Sequence, residues 1–456
     1  MGDSPEEKRK NPWPLRIIIL LCFVVLGLSL FLFGAWHVPD NRQWAESERN
    51  RVEDRVREIA AIPHEENPYY KYVRAVEAYA PVEHTVRGMG LPPPDMSSIT
   101  GSSIPGEYVP VFIEHQKANS ESIKLVMEAY PLEKGFAVVS HKTFEEKTID
   151  LLGIRDLAQF ITILGMIQER DGNIKKAVHH YFAVIKMGNT IGSGGNLIHG
   201  MMAVALNSIA LDPLISIGGR NDLDGDMYAH ILDELDRLDQ GCFTYRELVD
   251  MEFLIFENVF ESIRAGNTKI LKVDLPWGAR FLQGSFFARE QRIFQNYHKD
   301  LVENLPEHYP HGGWTFPEPV FPPLSYVAPI VVPNHNRAFE VYIMMRARID
   351  GLKTLLALQL YRVDHGDFPQ HLNELVPRYL PSLPADPFSG DGDFVYINQD
   401  GRVALYSVGP DGIDGGGRIN AVASSDRRGD IIIYPAGKEP EDENPKGKVE
   451  RIPRKR

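Results

Sequence analysis

Residues 17–36 contain no charged side chain, and that run restricts the chain more than any other feature. About 20 residues at 1.5 Å rise cover the hydrocarbon thickness of a bilayer. Lys8, Arg9, Lys10 and Arg16 precede the run, and Asp40, Arg42, Glu46 and Glu48, of mixed sign, follow it. The positive-inside rule then predicts a signal anchor at 17–36 with residues 1–16 in the cytoplasm. The expectation is a single-pass inner (cytoplasmic) membrane protein, partnered with the bilayer through this N-terminal helix, whose bulk is extracytoplasmic. Trp13 and Trp36 flank the run, where amphipathic rings favour the interface. A cleaved signal peptide would carry a shorter apolar region ending in a small-x-small site, and Phe33-Gly34-Ala35-Trp36 is a poor one. A lipoprotein signal fails because Leu21 precedes Cys22 where a small residue is wanted. The run is apolar on every face, which favours a bilayer over an interior core.

The 456 residues are 43% hydrophobic and 24% charged, a balance that suits roughly two or three globular domains. A formal net charge of -13 argues against nucleic acid as a partner, because phosphate binding needs a basic footprint. Cys22 and Cys242 are the two cysteines, so no disulfide framework is expected.

Residues 37–305 read as a helical extracytoplasmic domain. Helical spacing of apolar residues predicts helices over 69–79, 122–130, 227–238 and 245–263, with Pro92-Pro93-Pro94 and the Ser/Gly/Pro stretch 97–106 breaking the chain. The clearest unit covers 154–187: Leu157, Ile161 and Leu164 on one helical face, a turn at Asp171-Gly172-Asn173, then Ala177, Tyr181, Val184 and Ile185. This unit resembles one tetratricopeptide hairpin, with Leu164-Gly165 at the helix crossing; an ordinary helical hairpin fits the same residues, and a solenoid needs about three copies. The helical middle also resembles uncharacterised helical extracytoplasmic proteins of planctomycete-type bacteria, a resemblance that implies no activity. Residues 306–336, with His311-Gly312-Gly313-Trp314 and Phe321-Pro322-Pro323, read as an ordered Pro/aromatic connecting segment, since a mobile linker would be less aromatic. The tail 437–456 is charged and low in apolar residues, the composition of a disordered segment.

A long helix is predicted from Arg337, with Ala338, Val341, Met345, Ile349, Leu352, Leu356 and Leu360 on one face and Gly366 as a left-handed cap. A short helix over 371–379 and strands over 394–397, 403–407 and 431–434 follow. Leu360-Tyr361-Arg362-Val363-Asp364-His365-Gly366-Asp367-Phe368-Pro369 resembles the end of the long helix of type II secretion pseudopilins. The segment from Leu375 to Pro384, with Asp386-Pro387, is similar to their next segment, and the stretch from Leu405 to Gly416 to their C-terminal loop. The fold class expected is therefore mainly α: an N-terminal transmembrane helix, a multi-helix, TPR-like body, and a small α+β pseudopilin-like domain over 337–436. The sequence departs from the family in two ways. Pro14-Leu15-Arg16-Ile17 stands where the processing site would be, and about 300 residues separate the apolar run from the head. A borrowed domain fits better than a working pilus subunit.

The resemblance implies a structural Ca2+ site in the head loop, with the Asp411 carboxylate, the Tyr406 and Val408 carbonyls, Asp430 closing the site and Asp414 at a variable acidic position. Calcium takes six to eight oxygens, and a glycine-rich loop can converge them. The same Asp and Gly residues suit plain turns. Arg418, Arg427 and Arg428 lie in the loop as competing cations. No catalytic motif stands out. His179-His180 and His64-Glu65-Glu66 lack ligand spacing, and Gly192-Ser193-Gly194-Gly195 lacks the lysine of a phosphate loop. The expectation is a non-enzymatic interaction or scaffold protein of the cell envelope or secretion, with envelope or secretion-system proteins as partners. The alternative is an enzyme with a site between the helical body and 306–336, near Tyr309 and Trp314.

Overall fold

A computed structural model describes residues 38–82, 104–133, 135–138, 149–267, 283–306, 316, 327–389, 392–399, 402–417 and 429–434, together with positions 25, 85, 319, 321, 322 and 325. The helices are α1 (Arg42–Ala60), α2 (Pro68–Glu77), α3 (Val109–Ala118), α4 (Ser120–Ala129), α5 (Leu151–Arg170) and α6 (Ile174–Gly192). They continue with α7 (Leu197–Gly218), α8 (Gly225–Gln240), α9 (Tyr245–Arg264), α10 (Gln283–Glu303), the short α11 (Ala328–Val331) and α12 (His335–His365). Strands β1 (Val395–Gln399), β2 (Arg402–Ser407) and β3 (Ile431–Tyr434) form one antiparallel sheet in the order β1-β2-β3. A body of helices with a small C-terminal sheet is thus what the chain forms.

Local chemistry explains the helix starts. Asn67 accepts from the Tyr69 N–H ahead of Pro68, and Asp224 accepts from the Met227 N–H. Thr244 and Glu247 make a reciprocal capping box at the head of α9. Gly172, at φ 80°, turns α5 into α6. The two helices approach closely at Gly165, where an added Cβ would lie 2.4 Å from the Tyr181 ring. Helix α12 ends where expected, on Gly366 in the left-handed region at φ 84°. The predicted helix at 371–379 shortens to a 3-10 turn, Leu372–Leu375.

The expected N-terminal transmembrane helix is corrected here. The run 17–36 lies outside the described residues apart from Val25. Among the described residues, the helices long and apolar enough to cross a membrane are Leu151–Arg170 and Leu197–Gly218, in mid-chain. Membrane partnership through an N-terminal helix, and the single-pass location built on it, fall with that correction. The mid-chain pair pass by length and composition, and both are more than half buried within the protein. Helices α5, α6 and α7 pack on one another, so their apolar surface has protein neighbours. Length and apolarity do not distinguish a bilayer from a deep helical core.

Helix α12 positions everything beyond it. It packs on α7 and α8 of the body and also carries β2, β3 and the 3-10 turn. Residues Leu355, Leu356, Ala357 and Leu358 are all buried, so this stretch is covered on every side. On the sheet side, a Cβ on Gly351 would meet Ile433 at 2.6 Å; on the body side, one on Gly218 would meet Leu352 at 3.0 Å. One apolar core therefore runs without a break from Tyr72 and Phe182 in the body to Leu405 and Ile433 in the sheet.

Candidate functional site

Two places gather charged groups that chemistry could use. The first is the head loop after β2. Asp386 is buried at its base and accepts from the Ser407 hydroxyl at 2.8 Å, the Phe388 N–H at 3.0 Å and the Val408 N–H at 3.3 Å. Asp430 is buried at the far end and accepts from the Gly417 N–H at 2.7 Å and the Gly415 N–H at 3.1 Å. Asp414 is exposed and accepts from the Tyr406 hydroxyl and the Gly416 N–H, both at 2.8 Å. Asp411 is exposed and accepts from the Ile413 N–H at 3.1 Å. Glycines 409, 412, 416 and 417 all take positive φ and wrap the loop around these carboxylates. Asp414 and Asp430 are brought to one turn, Gly415–Gly417, and Tyr406 reaches it through its ring; Asp411 caps a turn of its own. Positions 418–428, with the three competing arginines, lie outside the described residues.

The second place is a buried trio from three helices: Glu48 on α1, Asp250 on α9 and His298 on α10, with ligand atoms within 4.8 Å of one another. That geometry can hold a metal ion. Arg51 and Arg246 already occupy the carboxylate oxygens: Arg51 lies 2.8 Å from Glu48 and 2.6 Å from Asp250, and Arg246 2.5 Å and 2.6 Å from the same pair. An incoming divalent ion would meet two guanidinium charges and would have to displace them. Burial pushes Glu48 up, but the two arginines outweigh it and hold its carboxyl below the usual range. At Asp250 burial prevails and the carboxyl stands above that range. His298 is buried against the Phe253 ring, 4.4 Å between centroids, its Nε2 has no hydrogen-bond partner, and burial drives its pKa far down. The trio spans residues 48 to 298 along the chain, so no local spacing announces it; its local traces are the Glu48–Arg51 pair at i,i+3 and the Arg246–Asp250 pair at i,i+4.

Other expected features resolve simply. His64 stacks on Tyr70, His179 packs edge-on to Tyr130, and His180 Nδ1 lies 2.7 Å from the Lys176 carbonyl. Tyr309 and His311-Gly312-Gly313-Trp314 lie outside the described residues. Phe316, next in the segment, is buried against Tyr245 and Phe339.

Comparison with known proteins adds to this geometry. The chain is 31% identical over 109 residues to the type II secretion system core protein G of Pectobacterium carotovorum subsp. carotovorum, covering 20% of this chain and 70% of that protein. It is 29% identical over 107 residues to the core protein G of Klebsiella pneumoniae, covering 20% and 76%. Through that segment, this chain belongs to the type II secretion core-protein (pseudopilin) superfamily. A further core protein G, from Klebsiella michiganensis, is 27% identical over 109 residues, covering 20% and 77%. No family model matches the chain, and no solved structure matches it. The pseudopilin-like motifs fall on the last turns of α12, on the 3-10 turn with its flanking loops, and on β2 with the loop after it.

Proposed function

We propose that this protein is a non-enzymatic scaffold of a secretion or cell-envelope assembly, in which a helical body holds a pseudopilin-like head in one fixed orientation. The observation that carries it is α12, one helix that serves the body and the sheet at once. The relatives matched by the pseudopilin segment are secretion-system core proteins, which supports a structural role. Where a pseudopilin helix packs against neighbouring subunits in a filament, the first half of α12 packs inside its own chain. The head is therefore presented as a docking element and not as a repeating subunit. The test uses the full chain with a purified core protein G: site-specific cross-linking from Asp411 or Asp367 on the exposed head should capture it. Capture that is equally strong from exposed Glu58 on α1 would remove the head from the interaction, and no capture from any position would end the proposal.

The finer proposal for the head loop is that Asp411, Asp414 and Asp430, with the Tyr406 and Val408 carbonyls, hold structural Ca2+. What supports it is the resemblance together with four positive-φ glycines in a nine-residue stretch, a backbone able to turn carbonyls inward. A ligand that binds only the folded form raises its stability. Millimolar calcium should raise the Tm of the full chain, and Asp430→Asn should abolish the rise. An unchanged Tm would mean that the loop holds no calcium.

A further inference from the structure

A polar cleft with about 180 Å³ of room for solvent opens between α1, α9 and α10. Its lining includes Arg49, Glu257, Arg264, Gln291, Arg292 and Gln295. The floor is unusual for a surface groove. Glu257, Gln291 and Gln295 are 3%, 7% and 5% exposed, so three polar side chains sit out of water at its base. Gln291 and Gln295 both donate to Glu257, at 3.1 Å. Two polar atoms are left over: the Gln295 Oε1 is a buried acceptor with no donor, and the Arg292 Nε is a buried donor with no acceptor. Buried groups of this kind are rarely left unmatched in a folded protein, and each costs stability until something pairs with it. Among the described residues, neither Arg264 nor Arg292 has an ion-pair partner, whereas Arg49 is held by Glu53 and Glu261. The cleft therefore offers two guanidinium groups outside any ion pair, although Glu46 and Glu261 also line its wall, and one acceptor without a donor.

We propose that this cleft binds a small hydroxycarboxylate, its carboxylate facing Arg292 and Arg264 and its hydroxyl donating to Gln295. The room available suits a ligand of roughly ten non-hydrogen atoms and no more. The carboxylate supplies the acceptor and the charge that the arginines lack, and the hydroxyl supplies the donor that the glutamine lacks. A site built around a hydroxyl discriminates sharply against an analogue without it, because the buried acceptor is then stranded. The site makes no use of the pseudopilin segment, and its occupancy would stabilise the join between α1 and the α9–α10 pair.

The experiment is calorimetric titration of the full chain with L-malate, succinate and inorganic phosphate in parallel. Malate and succinate share their carboxylates and differ by the one hydroxyl. The expected result is saturable malate binding, with succinate weaker by about tenfold, the equivalent of one hydrogen bond. Arg292→Met should weaken malate by a similar factor while leaving the circular dichroism spectrum unchanged. No saturable heat at several millimolar malate overturns the proposal. Equal binding of malate and succinate overturns the role of Gln295, and phosphate binding as tight as malate shows an unspecific anion groove. These comparisons need no variant, so a substitution that fails to fold does not shield the proposal.

Discussion

Asp386 and Asp411 stand about 25 positions apart in one pseudopilin-like head and differ in what surrounds them. Asp386 is 1% exposed and takes three hydrogen bonds from the loop, while Asp411 is exposed and takes one. Asp386→Ala should cost about 2 kcal/mol in a urea melt, the penalty for stranding buried donors, and Asp411→Ala about 0.5 kcal/mol or less. The resemblance picked out Asp411, and the residue that organises the loop is Asp386, whose partners Ser407 and Val408 lie 21 and 22 positions away. Sequence spacing shows the turn formers and hides that convergence. Glu257 gives a second test. Burial lifts its carboxyl to about 7, against 4.5 in the open chain, with Gln295 and Gln291 opposing. Its folded pKa is raised, so the stability it contributes is complete below about 4.5 and is lost as pH rises through about 7. Glu257→Gln should therefore gain on the wild type steadily over that window, as read by denaturant midpoints. A difference that does not change with pH would place Glu257 in water.

Helix α12 shows what was legible at the level of elements. Its period, its Gly366 cap and the three strands after it follow from apolar spacing and turn residues, and the structure places them within a few positions of the expectation. Its second face could not be read, because a helix that packs on both sides shows no polar stripe. The clamp to α8 is equally silent in sequence. Asp239 lies 107 and 114 residues from its cations, contacting Arg346 at both carboxylate oxygens and Lys353 at 2.7 Å. Burial alone would raise the Asp239 pKa, but Arg346 and Lys353 hold it below the ordinary range. Removing one partner from such a mostly buried network costs about 3–5 kcal/mol. Asp239→Asn should lose stability on that order, and the loss should reach the sheet: amide exchange in β3 should speed up along with exchange in α8. Faster exchange confined to α8 would show that the two faces of α12 are not coupled. Gly351→Leu probes the other face, where the new side chain would collide with Ile433; overpacking of this kind costs about 1–3 kcal/mol.

On the scale of the whole molecule, the apolar run at 17–36 misled the reading of the architecture by drawing attention to the start of the chain. The mid-chain helices Leu151–Arg170 and Leu197–Gly218 are also long and apolar enough to cross a membrane, and they bury more than half of that stretch in a protein interior. Composition cannot tell these uses apart, since lipid and packed side chains are both apolar surroundings. The Glu48–Asp250–His298 trio and the cleft beside Glu257 were invisible for a related reason: both are made where α1, α9 and α10 meet, and no short motif spans that meeting. What unifies the chain is the single core running from body to head through α12. A rigidly held head requires that body and sheet melt as one unit. Differential scanning calorimetry of the full chain measures this directly. The account predicts one transition whose calorimetric and van't Hoff enthalpies agree; a separate, lower transition that Gly351→Leu shifts while the main one stays in place would show a head hung loosely on the body.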